Sequence, residues 1–289
     1  MLLAFAPAMR AAFFPIAAAF IALAFTHDIA GASAWTLERG QTRTYVTSSF
    51  TYGDHGFDDD GKLVKVPEYR KFTLEGALEY GVRDWLTGIV RAELRDEYSF
   101  GEIYRARVAD PIFDPNQPNP RIFYDWRTQT FASAAAGARV RLWHTGRFVA
   151  SLQGLASTGG FDSTGARAQS DGALVEARAE MGAGHQALGR HFFANASAGY
   201  RMRLEADDKD ELLLDLTLGA KVLPRWMLIG QTFTTADVDG TSHHTKVGLS
   251  IVHRFSDRIE LELGGIATVL GKNTIQEFGG KLGVWWSFP

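Results

Sequence analysis

Along twelve separate runs of this chain, apolar and polar side chains alternate residue by residue, and that period leaves few folds open. Side chains on a β-strand point to opposite faces in turn, so each run reads as a strand with one apolar and one polar face. The run that ends the chain shows it plainly. Phe278, Gly280, Leu282, Val284, Trp286 and Phe288 fall on one side, and Glu277, Gly279, Lys281, Gly283, Trp285 and Ser287 fall on the other. Strands of soluble proteins average about 5–6 residues. A longer strand that finishes on two aromatics of its apolar face is the pattern of a transmembrane barrel strand with its interfacial girdle.

The other eleven runs span residues 43–52, 69–80, 85–97, 128–142, 148–158, 173–184, 191–204, 211–222, 226–235, 243–253 and 258–270. One is ambiguous, because Met227, Ile229 and Phe233 compete with Trp226 and Leu228 for the apolar face. The connections are short and long by turns, with long ones at 53–68, 99–127 and 159–171. Aromatics of the apolar face gather in two belts. Tyr80, Phe148, Phe192, Trp286 and Phe288 lie at the short-turn end, and Phe50, Tyr52, Phe72, Tyr200 and Phe278 toward the long-loop end. A soluble β-sandwich has no reason to arrange that. The fold class read from the pattern is all-β: a transmembrane antiparallel up-and-down β-barrel of about 12 strands.

Residues 1–34 have the anatomy of a secretory signal peptide. Arg10 precedes an apolar run over 11–25, and Ala32-Ser33-Ala34 supplies small residues for cleavage. The run is short for a membrane span of roughly 20 residues, holds Pro15 and gives way to His27 and Asp28. Met9 offers an alternative start, with its basic residue immediately after it. Residues 35–289 then form the barrel, expected in the outer membrane of a Gram-negative bacterium after cleavage near Ala34. The 289 residues include no cysteine, which excludes disulfides, thiolate metal sites and lipidation. A net charge of −3 gives no footing for nucleic acid.

If the apolar face meets lipid, the polar face is a lumen lined by charge. The candidates are Lys71, Glu75, Glu79, Arg91, Glu93, Arg95, Arg139, Arg141, Glu176, Arg178, Glu180, Arg201, Arg203, Asp215, Glu260, Glu262 and Lys281, with Lys221, Lys246 and Glu277 beside them. Such a ladder has two meanings. It is either a lumen closed by cross-strand ion pairs or a selectivity lining, with a basic side on the third, fourth and seventh strands facing acidic second and eleventh strands. Residues 99–127, rich in proline and aromatics, are a candidate plug or lid. The stretch Gly56-Phe-Asp-Asp-Asp-Gly61 lacks the closing glutamate of a calcium loop, so no metal is expected. No cofactor is expected either. His191, His243, His244 and His253 are the residues a membrane-embedded lipid hydrolase would draw on, but no G-x-S-x-G or H-E-x-x-H motif accompanies them.

Lys281, Gly283, Trp286 and Phe288 resemble the C-terminal β-signal of Gram-negative outer-membrane proteins, although Pro289 follows where that signal usually stops. The resemblance implies the barrel-assembly machinery and outer-membrane lipid as partners. Ala34-Trp-Thr-Leu37, Phe57-Asp58 with Gly61-Lys-Leu-Val64, and Glu79-Tyr-Gly-Val-Arg-Asp-Trp-Leu-Thr87 loosely resemble small alphaproteobacterial barrels, XagA-like or related to the MetA-pathway transporters. That implies a transporter or surface-associated barrel for an unknown solute. A channel for a small or charged solute is the leading expectation, with a closed structural, adhesion or polymer-export barrel next and an outer-membrane lipid hydrolase third.

Overall fold

The computed structural model describes residues 34–106, 121–158, 161–162, 172–187, 189–204 and 209–288. Most of the expected signal peptide therefore lies outside the described residues. The strands are β1 (Thr42–Phe57), β2 (Leu63–Arg83), β3 (Leu86–Ala106), β4 (Arg121–Thr145), β5 (Phe148–Ser157), β6 (Phe161–Asp162) and β7 (Leu174–Ala187). They continue with β8 (Arg190–Arg203), β9 (Glu211–Leu223), β10 (Trp226–Asp237), β11 (His243–Arg254), β12 (Ile259–Lys272) and β13 (Thr274–Phe288). β6 is a two-residue bridge against β4. The twelve others each pair antiparallel with their neighbours, and β1 pairs with β13, so the sheet closes into a twelve-stranded barrel without an open edge.

Its side chains are sorted in the reverse of a soluble protein. Leu249 is 67% exposed and Leu263 62%, whereas Arg139 is 1% exposed and Glu180 3%. Apolar residues on the outside and charge on the inside suit a wall between lipid and a lumen. The two belts are present. Tyr80, Trp286 and Phe288 are exposed at the turn end, where Trp85, Trp143, Trp226 and Phe255 join them; Phe50, Phe72, Tyr200 and Phe278 mark the other. Trp286 and Phe288 stack at 4.7 Å, and Tyr52 meets Phe278 edge-on at 5.5 Å.

Two expected loops are shorter than the sequence pattern implied. β1 and β2 pair out to Phe57 and Leu63, which leaves 58–62 as the turn rather than 53–68. Within it, Asp58 accepts the backbone N–H groups of Asp60 and Lys62, and Lys62 pairs with Asp60 at 2.9 Å, so the acidic cluster serves the turn. The larger correction concerns 99–127. β3 and β4 stay in register from Ser99↔Arg127 to Ala106↔Arg121 and continue the barrel wall as a hairpin. Residues 107–120 lie outside the described residues. The sequence of this hairpin beyond Ser99 does not keep a clean alternation, while the pairing rests on the backbone ladder.

Candidate functional site

The barrel encloses a cavity of about 520 Å³. Lys71, Glu75, Glu79, Arg91, Arg139, Arg178, Glu180, Asp215, Lys246, Glu262, Glu277 and Lys281 stand on its wall. Arg43, Tyr45, Thr47, Ser49, Thr51, Gln153, Asn195, Ser197, Thr217 and Gln231 share that wall, as do Phe193, Phe233, Ile229, Ile266 and Trp285. The polar ones, Arg43 included, were legible in the alternation, since each follows the period of its strand's inward face. The remaining candidates lie elsewhere. Arg95 bridges Glu93 and Glu97 along β3, at 3.6 and 2.9 Å. Glu260 pairs with Arg254 at 3.0 Å at the turn end, where Arg141 and Lys221 also lie.

The charges are arranged as local pairs between strands. Arg139 donates from Nε to Glu180 at 2.9 Å, and from Nη2 to Glu79 at 3.2 Å and Gln153 at 2.7 Å. Ser151 donates to the same Glu180 oxygen at 3.2 Å. Higher on β7, Glu176 holds Arg178 at 2.5 Å and Arg201 at 2.8 Å. Arg178 continues to Asp215, and Glu211 holds both Arg201 and Arg203 at 2.6 Å. Lys281 pairs with Glu262 at 2.6 Å, and the Trp285 indole N–H donates to Glu262 at 3.2 Å. A basic side facing an acidic side is therefore not what forms. Cations and anions on the same, adjacent or next-but-one strands neutralise one another, because a half-buried charge gains most from the nearest opposite one. Arg91 Nε is buried with no hydrogen-bond partner.

The turn end of the lumen is occupied by the chain itself. Residues 34–41 precede β1 and run along the inner wall. Ala34 N donates to Asn195 Oδ1 at 3.1 Å, Leu37 N to Thr87 Oγ1 at 2.9 Å, and Arg39 N to Asp84 Oδ1 at 2.9 Å. Gly40 N donates to the Gly81 carbonyl and Gly81 N to that of Gln41, at 2.8 and 2.9 Å. The Trp35 carbonyl accepts from Arg139 at 3.4 Å. Two glycines make the space: a Cβ at Gly81 would stand 1.9 Å from the Glu38 carbonyl oxygen, and one at Gly182 would stand 2.2 Å from the Trp35 ring.

Trp35, with Trp285, packs on a small apolar core of Phe193, Met227, Ile229 and Val252 inside the barrel. This explains the ambiguous run. Met227 and Ile229 point inward as a seat for Trp35, while Trp226 and Leu228 face outward, so both faces of β10 are apolar at this end.

The histidines do not converge. His191 and His253 lie near the turn end, and the His253 ring packs tilted against Trp226 at 4.3 Å; His243 and His244 open β11 at the loop end. Among the described residues no group of His, Asp or Glu could hold a metal.

The loop rim is tied across strands. Lys209 pairs with Asp239 at 2.9 Å, Lys272 donates to the Gly240 carbonyl at 3.2 Å, and Asn273 Nδ2 donates to the Thr241 carbonyl at 2.8 Å. Hydrogen bonds from Lys209 and Thr241 hold the Asp239 carboxyl down at about 2. A depressed carboxylate contributes stability that is full above the ordinary aspartate range near pH 4 and lost as pH falls through the lowered value. Exchange of the Thr241 amide, which donates to Asp239 at 3.0 Å, is therefore expected to stay protected at pH 4 and to speed up toward pH 2 beyond its intrinsic trend. Unchanged protection over that interval would contradict the tie.

No protein-family model matches this chain, and no curated protein matches it. Solved structures do. An outer membrane channel from Pseudomonas putida F1 superposes with a TM-score of 0.60 at 13% identity, over 90% of this chain and 100% of that one. The translocator domain of the autotransporter NalP from Neisseria meningitidis gives 0.49 at 12% identity, over 96% of each chain. The likeness to the Pseudomonas putida channel shows the fold, that of an outer-membrane β-barrel.

Proposed function

We propose that this protein is an outer-membrane channel that takes a small or charged solute through a lumen of mixed charge. The observation that carries this reading is the cavity of about 520 Å³ held between twelve lipid-facing strands and walled by charges of both signs. Polar and charged side chains that line a closed barrel replace part of the hydration of a passing solute. The fold shared with the Pseudomonas putida channel supports it, and so does the loose resemblance of the first strands to MetA-pathway transporters. With both ends of the barrel sequence on the turn side, the short turns face the periplasm and the loops face outward.

A closed barrel with a structural, adhesive or export role is favoured by the lumenal segment 34–41 and by the local pairing of charge. Conductance in planar bilayers separates the two. The channel reading expects discrete steps from folded protein, with an ion preference set by the lumenal charge. Silence from folded protein, both intact and with residues 35–39 removed, would overturn it.

A further inference from the structure

Toward the loop end of the lumen two lysines share one carboxylate. Lys71 on β2 lies 2.9 Å from Oε2 of Glu277 on β13, and Lys246 on β11 lies 3.2 Å from that same oxygen. Lys71 also donates to Oε1 at 2.9 Å, and the Thr51 hydroxyl donates to Oε2 at 3.0 Å. Among the described residues Glu277 is the one carboxylate within ion-pair distance of either ammonium. Lys281, by contrast, has Glu262, and Arg139 has both Glu79 and Glu180.

Here a second positive charge remains uncompensated, on side chains 18% and 20% exposed. An ammonium has three N–H donors, and the carboxylate they share is already crowded with them. Two ammoniums on one oxygen repel each other where the surroundings screen poorly. Both stand on the cavity wall. What the arrangement lacks is a second negative charge with oxygen acceptors, arriving from the cavity side.

We propose that Lys71 and Lys246 form a docking site for a small monovalent oxyanion of the carboxylate type inside the lumen. The anion brings the missing charge and takes up the ammonium donors that Glu277 leaves unused. This deepens the channel reading by naming a solute class, and it is tested without any need for conduction.

The experiment is equilibrium dialysis of the folded full chain in detergent against labelled benzoate, with benzylammonium as the cation of matching size. Benzoate is expected to be retained and benzylammonium not. Lys71→Gln with Lys246→Gln should weaken benzoate retention at least tenfold, Lys71→Arg with Lys246→Arg should keep it, and Glu277→Gln should tighten it. Heat-modifiable migration on gels confirms that each variant is folded. No retention of benzoate, equal retention of both probes, or retention unchanged in the double glutamine variant would each overturn the site. Retention by a protein that shows no conductance, either intact or with residues 35–39 removed, would leave the site standing and remove the channel reading alone.

Discussion

Replacing Arg139 with leucine is expected to cost the barrel about 3–5 kcal/mol, the range seen when one partner of a buried ion pair is removed. Arg139 is 1% exposed and is the shared partner of Glu79 and Glu180, themselves 6% and 3% exposed. Its loss leaves two buried carboxylates without their direct ion-pair partner. Arg139→Lys should recover part of the loss. An ammonium restores the charge, but it cannot reach Glu79, Glu180 and Gln153 together as the guanidinium fork does. Changing Glu79 and Glu180 to glutamine in the leucine background should recover more, because the stranded charges are then gone. Urea unfolding from lipid vesicles, followed by tryptophan fluorescence, measures all four proteins. A leucine variant within about 0.5 kcal/mol of the parent, the spread of ordinary surface changes, would show that the network is ornamental to stability.

Displacing the lumenal segment is expected to raise single-channel conductance several-fold. Gly182→Ala drives a methyl group into the Trp35 ring, and Gly81→Ala drives one into the Glu38 carbonyl, so each change acts where the segment touches the wall. Gly230→Ala is the control, since a Cβ there meets nothing within 4 Å. Removal of residues 35–39 should produce the largest increase. The reason is steric: Trp35 and Leu37 fill the turn end, held by backbone N–H groups of the segment that donate to Asn195, Thr87 and Asp84. Equal conductance in the parent, both alanine variants and the deletion would mean that the segment leaves the permeation path free.

Much of the architecture was legible in the sequence because a bilayer imposes a simple rule. Lipid-facing residues of a spanning strand are mostly apolar, and every second residue faces lipid, so the twelve strands announce themselves. The aromatic belts follow from the same boundary. Beyond Ser99 the β3–β4 sequence does not keep the alternation, while its pairing is held by backbone bonds that every sequence can make. The ambiguity at Met227 and Ile229 has the opposite cause. There an inward face also became apolar, to receive a tryptophan from a segment more than a hundred residues earlier in the chain.

Outside β10, the sequence by itself determined which residues face lipid and which face inward, because the period of a strand and the solvent on each side are local properties. It also determined the kinds of charge in the lumen. Which charge meets which was decided by the tertiary structure alone. The pairing of Arg139 with Glu79 and Glu180, the crowding of Lys71 and Lys246 on Glu277, and the seat of Trp35 all depend on strand register and barrel closure. Those are fixed only when β1 meets β13 and the whole sheet closes, so no window of the sequence contains them.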